Sequence, residues 1–244
     1  MIKFNHAVQP SQTYAMNQEP PAPKAPEDLR DWKAPLVADL DRVAARDRWG
    51  FAFMVIGAIH FTAFVLCELR YTSGDLREAP YVAIWLLELA AVLLTMQFFG
   101  GRYWWRATPL AGILGRLWGT FLLLSFNLTT MNSMLGMAYP EWFKPALTNL
   151  ATFGFATTAY LLTPRYFIPA VGMYFAGLLM VAMPRHAYII HGSAWLLTLE
   201  GLGVILERRR RRRFPEFVGK PRPSAIDPRN RHPEVAAEDF ASLN

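Results

Sequence analysis

Long apolar blocks constrain the fold of this chain more than any other feature of its sequence. A helix that spans a bilayer needs about 17 to 25 mostly apolar residues. Six blocks meet that length, at residues 50–69, 81–99, 109–131, 145–163, 166–184 and 187–206. Charged residues make up 18% of the chain, against about a quarter in soluble domains. The sequence therefore predicts an all-α fold, a polytopic transmembrane bundle of six helices with short loops.

The polar segments on either side of these blocks complete the domain organisation. Residues 1–34 are rich in proline and lack periodicity, which predicts a disordered N-terminal segment. Residues 35–49 carry apolar residues at helical spacing and predict a short amphipathic juxtamembrane helix, lying at the membrane interface or packed on a neighbouring element. A merely polar lead-in to the first span is the alternative. Residues 50–206 form the transmembrane domain, and residues 207–244 form a flexible, basic, Pro-rich cytoplasmic tail.

The basic residues predict an orientation, because Lys and Arg are enriched in short cytoplasmic loops. With both termini inside, the cytoplasmic side carries Arg42, Arg46, Arg48, Arg102, Arg106, Arg165 and the Arg208–Arg213 run. The outer side then carries only Arg70, Arg77, Lys144 and Arg185. We therefore expect a multi-pass protein of the inner cell membrane with cytoplasmic N and C termini. Arginine outnumbers lysine 20 to 5, which favours a bacterial source.

Polar residues inside the blocks fall into layers when depth follows from a helix rise of about 1.5 Å per residue. Arg116 and Glu200 lie about 10 Å from the cytoplasmic end, and His60 and Glu88 lie about 15 Å from it. An outer polar layer, at roughly 20 to 27 Å, contains Asn127, Asn149 and His191. Because ionised groups are costly inside a bilayer, these residues are candidates for ion pairs or a proton relay.

Arg116 stands in the middle of an apolar run, "GILGRLWGTF". It is surrounded at helical spacing by Gly112, Gly115 and Gly119. Small residues allow helix backbones to approach closely, so this face is expected to pack against a neighbouring helix. Arg116 would then pair with Glu200 or Glu88. The alternative is that its long side chain reaches back to the cytoplasmic headgroups.

Glu88 lies too deep for its short side chain to reach the headgroups. Its carboxyl group must be protonated, paired or in contact with water. His60, at equal depth, is a candidate partner. A structural interhelical hydrogen bond and a proton-carrying site are both open interpretations, since His and Glu are the usual relay residues in membranes.

The sequence predicts no metal site and no cofactor. The single cysteine, Cys67, excludes a disulfide within the chain and thiolate clusters. His60 and His191 differ in depth by roughly 9 Å, which argues against a haem held by both. No HExxH, GxSxG, Walker A or GxGxxG motif is present.

The arginine run has a simple interpretation as a stop signal that binds anionic lipid headgroups at the cytoplasmic face. Each charge near the surface contributes about 1 kcal/mol. The run consists of Arg208, Arg209, Arg210, Arg211, Arg212 and Arg213. Because the basicity of the chain is local, the sequence does not predict nucleic-acid binding. The tails are candidate binding segments for protein partners.

Three classes of function remain. The first is an accessory or scaffold subunit of the membrane without catalytic activity, which the absence of catalytic motifs favours. The second is a small proton-coupled transporter that uses His60, Glu88, Arg116 and Glu200. An intramembrane enzyme ranks last. A water-lined cavity reaching Glu88 and Arg116 would favour transport, whereas a packed core would favour the scaffold.

Overall fold

The computed structural model describes residues 29–74, 78–134 and 140–218, and this part of the chain is helical without a strand. It contains seven α-helices: α1 (Leu29–Arg46), α2 (Trp49–Thr72), α3 (Glu78–Gly100), α4 (Pro109–Met134), α5 (Pro140–Leu161), α6 (Phe167–Ala182) and α7 (Ala187–Arg213). Short 3-10 turns precede three of them, at Trp104–Arg106, Pro164–Tyr166 and Pro184–His186. The tails predicted to be disordered lie mostly outside the described residues.

Within the described residues, five helical segments are long and apolar enough to cross a membrane, which indicates a membrane-embedded helical protein. They are Trp49–Thr72, Pro80–Gly100, Pro109–Asn132, Pro164–Ala182 and Pro184–Arg213. Five of the six predicted blocks correspond to these segments. The remaining block, 145–163, corresponds to α5, which is a helix but is less apolar than the others.

The lower apolarity of α5 has a cause in its packing. α5 lies against α4, α6 and α7. Its polar side chains Lys144, Thr148 and Thr158 are buried inside the protein and do not contact lipid. A helix of 22 residues is about 33 Å long, which is sufficient to span a bilayer. The sixth span stays a prediction that length alone permits.

α2 and α7 form the central antiparallel pair of the bundle, and glycines let them approach closely. Gly50 and Gly203 face one another, so that a Cβ atom added at 203 would lie 2.5 Å from the Gly50 carbonyl oxygen. At the other end of the pair, a Cβ atom added at Gly192 would lie 2.7 Å from the Cβ of Phe64. Close backbone contact of this kind is the usual way in which membrane helices gain packing energy without a hydrophobic driving force.

A helix, α1, occupies most of the segment predicted to form the juxtamembrane helix, with different bounds. The prediction was 35–49, whereas α1 begins at Leu29 and ends at Arg46. Trp49 belongs to α2, because Arg48 adopts the left-handed conformation (φ 57°, ψ 41°) and breaks the helix there. At this corner Arg46 Nε donates to Asp47 Oδ1 (2.9 Å), which raises the pKa of Arg46.

The apolar side of α1 packs on the bundle. Leu40 and Ala44 form a buried cluster with Leu110, Ala111 and Leu114 from the start of α4. Lys33 Nζ also donates to the Tyr160 carbonyl oxygen near the end of α5 (2.8 Å). α1 therefore packs on a neighbouring element, and its position at the membrane interface stays a prediction. We call this end of the molecule the basic end, since it also holds the arginine run.

α3 and α4 form the most exposed part of the bundle, which we call the lipid-facing wall. α3 packs mainly on α2, and α4 packs on α5 and on the turn at Trp104–Arg106. Large apolar side chains remain exposed along both helices, among them Leu87, Leu94, Phe98, Leu123 and Phe126. In a bilayer such a surface is covered by acyl chains, which is consistent with the apolar composition of these two helices.

Candidate functional site

His60 of α2 and Glu88 of α3 are in direct contact, through the His60 Nδ1 and Glu88 Oε1 atoms. Each stands near the middle of its helix, and both side chains are largely buried, with 20% and 9% of their surface exposed. The depth read from the sequence predicted this partnership. The contact is an ion pair when the imidazole is protonated and the carboxyl group is ionised. It is a hydrogen bond when a neutral imidazole donates its Nδ1 proton to the carboxylate, or accepts the proton of the carboxylic acid.

Aromatic rings fill the space next to this pair. The His60 ring lies 5.0 Å from the ring centre of Trp195 on α7. Trp195 is in turn surrounded by Trp118 and Phe121 of α4 and by Phe155 of α5, with ring centres 5.6 to 6.3 Å away. The layer at the middle of the bundle is therefore closely packed, with rings from three helices meeting at one indole.

His191 is fully enclosed and has a hydrogen bond at each ring nitrogen. Trp195 Nε1 lies 3.1 Å from His191 Nε2, and an indole can only donate, so Nε2 accepts. The proton of the neutral imidazole is then on Nδ1, which donates to Thr148 Oγ1 at 2.7 Å. The Thr148 hydroxyl in turn donates a hydrogen bond to the Lys144 carbonyl oxygen at 2.9 Å. Three consecutive hydrogen bonds thus run in one direction from α7 to α5.

Lys144 is the residue that the sequence analysis placed wrongly. It was assigned to an outer loop, but it is fully buried in the first turns of α5. The error came from Pro145, which was taken as the first residue of the helix. The helix begins five residues earlier, at Pro140, which offers the same sequence signal.

The ammonium group of Lys144 is held by aromatic faces. Its Nζ atom lies 4.3 to 4.8 Å from four ring centres, those of Phe64, Trp85, Phe143 and Tyr188. Within the described residues, Nζ has no hydrogen-bond acceptor. The rings attract a cation electrostatically, which offsets part of the cost of removing it from water. The carboxylate of Glu88 and the thiol of Cys67 are close enough to act electrostatically on the same group.

These residues define one polar interior cluster between α2, α3, α5 and α7, formed by His60, Glu88, Lys144, Thr148 and His191. Its members are ionisable or take part in hydrogen bonds, and its position inside the bundle separates them from lipid. The cluster includes two of the four residues predicted to form a relay or ion pair, His60 and Glu88. It also includes His191 from the predicted outer layer.

Arg116 is not part of this cluster. Its side chain is exposed on the lipid-facing wall, and it forms no ion pair or hydrogen bond with any residue that the structure describes. The predicted pairing with Glu200 or Glu88 is therefore not formed. The glycine face beside it also packs differently from the prediction, because a Cβ atom at Gly115 would meet Trp105 (3.1 Å) and Trp104 (3.6 Å) of the preceding turn. Gly112 and Gly115 therefore lie against Trp105 and Trp104 of the same connection, and a Cβ atom at Gly119 would meet nothing within 4 Å.

The remaining predicted residues lie apart. Glu200 is half-buried on α7 and has no ion pair among the described residues. Asn127 and Asn149 are exposed, so the predicted outer layer does not converge on one site. The sequence grouped these residues by depth along each helix, but it did not give the direction in which each side chain points.

The arginine run is divided between the protein and the exterior. Arg210 is buried, with its Nη1 atom 3.2 Å from Glu207 Oε1 and its Nη2 atom donating to the Phe217 carbonyl oxygen (2.6 Å). Arg209 and Arg213 approach Asp41 of α1 at 3.9 and 3.8 Å. The exposed members of the run are Arg208, Arg211, Arg212 and Arg213. Headgroup binding by the run stays a prediction, and the buried Arg210 side chain points into the protein instead of towards the headgroups.

Two further features bear on function. A shallow groove between α2 and α3 is lined by Leu66, Leu69, Arg70, Ser73 and Ile84, and neither Glu88 nor Arg116 lines it. In the part of the chain that is described, no three His, Cys, Asp or Glu side chains are grouped so that they could hold a metal ion. No protein family, curated protein or solved structure matches this chain.

Proposed function

We propose that this chain is an accessory or scaffold subunit of the inner cell membrane, without catalytic activity of its own. The observation that carries the proposal is the packed aromatic layer around Trp195, in which rings of α4, α5 and α7 meet at the middle of the bundle. A carrier needs a site at the midplane that opens to water, usually where helices are broken. A layer of interlocking rings is better suited to holding helices in fixed positions.

The basic end is the surface we propose for partner binding. The described chain begins in α1 and ends after α7 at this end, where Asp41 approaches the arginine run. The sequence segments 1–28 and 219–244, both rich in proline, adjoin it. The excess of arginine at this end also favours its location in the cytoplasm.

Site-specific crosslinking tests the partner surface. Val218 at the basic end and Met183 at the opposite end are both about half exposed, at 48% and 46%. A photo-crosslinking amino acid at 218 in the full chain is expected to capture one defined protein in native membranes, whereas the same group at 183 captures lipid. Equal capture at both positions, or no protein captured at 218, would remove the proposal.

Thiol labelling tests the orientation. Ser73 and Val218 lie at opposite ends of the bundle, and Cys67 is buried. In intact cells, a membrane-impermeant maleimide is expected to label Ser73→Cys, while Val218→Cys reacts only after permeabilisation. Labelling of Val218→Cys in intact cells would reverse the orientation.

A second function, a proton-coupled carrier, is favoured by the His60–Glu88 contact and by Lys144 close to it. Its site would be the polar interior cluster, since Arg116 and Glu200 lie elsewhere. In reconstituted vesicles, Glu88→Gln should abolish proton flux, while Glu207→Gln at the basic end should leave it unchanged. If the unmodified protein gives no flux above that of empty vesicles, the carrier is excluded.

A further inference from the structure

The segment that contains the lipid-facing wall has an unbalanced charge. Between Glu88 and Glu141 the sequence contains no aspartate or glutamate, yet it contains three arginines, Arg102, Arg106 and Arg116. These cations therefore have no carboxylate in their own segment to neutralise them. An ion pair would have to come from another part of the chain or from outside the protein.

The structure shows no such pair for Arg116. It lies seven residues after Pro109, about 10 Å into a segment that is long and apolar enough to cross the membrane. It is exposed there without a hydrogen bond or ion pair to a described residue. An arginine at the centre of a membrane helix costs about 2.5 to 3.5 kcal/mol, and a long side chain nearer the end can direct its guanidinium towards the interface. The phosphate groups of the surrounding lipids are the anions within reach of such a side chain.

The surroundings of Arg116 leave space for such an anion. A Cβ atom at Gly119, one turn further along α4, would meet nothing within 4 Å. On the other side, Trp104 and Trp105 cover Gly112 and Gly115 at the start of the helix, where tryptophans usually mark the membrane interface. The helix is thus covered by the Trp104–Trp105 connection before Arg116 and is open at Gly119 after it.

Two more cations lie in the connection that directly precedes α4. Arg102 and Arg106 are exposed, and their guanidinium carbons lie 5.6 and 5.4 Å from the ring centre of Tyr103, which can hold both charges by cation–π contact. Trp105 of the same connection packs against Gly115, the residue before Arg116. The three arginines therefore belong to the same end of α4 and its preceding turn.

We propose that Arg116, with Arg102 and Arg106, binds the phosphodiester group of a membrane phospholipid against α4. The planar guanidinium binds a phosphate through two parallel N–H···O bonds, which a lysine cannot reproduce. The lipid tails lie along the exposed apolar side chains of the wall. The site is separate from the arginine run of α7, because it is formed by a different helix and turn.

Lipid binding to the purified full-length chain tests the proposal. The delipidated protein is titrated with phosphatidylglycerol, with phosphatidylethanolamine or with inorganic phosphate, and retained lipid is counted by native mass spectrometry. Arg116→Gln should weaken binding of phosphatidylglycerol about tenfold, which corresponds to the loss of one charge-assisted contact. Arg116→Lys should fall between, and Asn127→Ala, at an exposed uncharged residue of the same helix, should match the unmodified protein.

The outcomes separate the sources of the anion. Binding of phosphatidylethanolamine that also depends on Arg116 supports recognition of the phosphodiester itself. If inorganic phosphate displaces the lipid or gives the same Arg116-dependent stabilisation, the site takes free phosphate and the lipid assignment is overturned. Equal lipid retention by Arg116→Gln and the unmodified protein overturns the proposal as a whole. Since Arg116 is exposed, an unchanged Tm of the lipid-free variant shows that it has folded.

Discussion

Lys144 and Arg116 are two basic residues in contrasting regions of the molecule, and neither forms an ion pair with a described residue. Lys144 stands just outside a predicted span and is fully buried among four aromatic rings. Arg116 stands well inside a span and is exposed on the lipid-facing wall. The comparison teaches that depth in the bilayer and burial in the protein are independent quantities. The first is set by position along the chain and the second by which side of the helix meets a neighbour.

The largest effect is expected when one glycine of the packed α2–α7 contact is compared with one glycine of the lipid-facing wall. Gly203→Leu should prevent the α2–α7 pair from forming, because even a Cβ atom would lie 2.5 Å from the Gly50 carbonyl oxygen. We expect a loss of about 4 kcal/mol or more, or no folded protein. Gly119→Leu on α4 meets open space and should change stability by less than about 1 kcal/mol.

Reversible unfolding in mixed detergent micelles measures both glycine variants. Folded yield after membrane extraction provides a second readout if Gly203→Leu does not accumulate. A stable Gly203→Leu variant would show that α2 and α7 do not pack as closely as described.

The two cations themselves provide the next test. Lys144→Ala removes a fully buried side chain and leaves a cavity lined by rings, so a loss of about 2 to 5 kcal/mol is expected. Lys144→Met keeps the volume and removes a buried charge without a hydrogen-bond acceptor, and should lose less than Lys144→Ala. Arg116→Ala should stay within about 0.5 kcal/mol in detergent. The same unfolding assay applies, and a larger loss for Arg116→Ala than for Lys144→Ala would invert the comparison.

Two substitutions of polar residues, one buried and one exposed, extend the test to hydrogen bonds. Thr148→Val removes the acceptor of the His191 Nδ1 proton inside the bundle, which should cost about 1 to 3 kcal/mol. Asn127→Leu on the lipid-facing wall removes an exposed amide and should be neutral or slightly stabilising. Thermal unfolding of both variants in the same detergent compares them, and equal losses would mean that Thr148 and His191 do not interact.

The smallest effect is expected at the basic end. Asp41 approaches Arg209 and Arg213 at 3.9 and 3.8 Å near the surface, and such pairs contribute less than about 1 kcal/mol. Asp41→Asn should therefore lower Tm only slightly, and added salt should remove the difference by screening. A large, salt-independent loss would show that Asp41 has a role beyond these two contacts.

The sequence predicted the membrane helices and the His60–Glu88 contact for a simple reason. Apolar length fixes where a helix lies along the membrane normal, and equal depth brings two midplane residues within reach of each other. It could not predict which way Arg116, Asn127 or Asn149 points. In a bilayer both the protein interior and the exterior are apolar, so the pattern of apolar residues around a membrane helix carries little information about its buried side.

Lys144 was missed for a related reason. Its burial depends on rings supplied by α2, α3 and α7, which lie far from it in sequence, and no local pattern announces them. The glycines around Arg116 predicted contact with another helix. Instead, Trp104 and Trp105 from the adjacent turn lie against Gly112 and Gly115.

The composition of α5 has a consequence for how the polypeptide is made. During translation, helical segments reach the bilayer one after another, and the insertion of each segment depends at first on its own affinity for lipid. Lys144, Thr148 and Thr158 lower this affinity for α5, so we expect the segment to insert late, together with α6 and α7, which cover its polar side. We then expect chains truncated before α6 to accumulate less than the full-length chain.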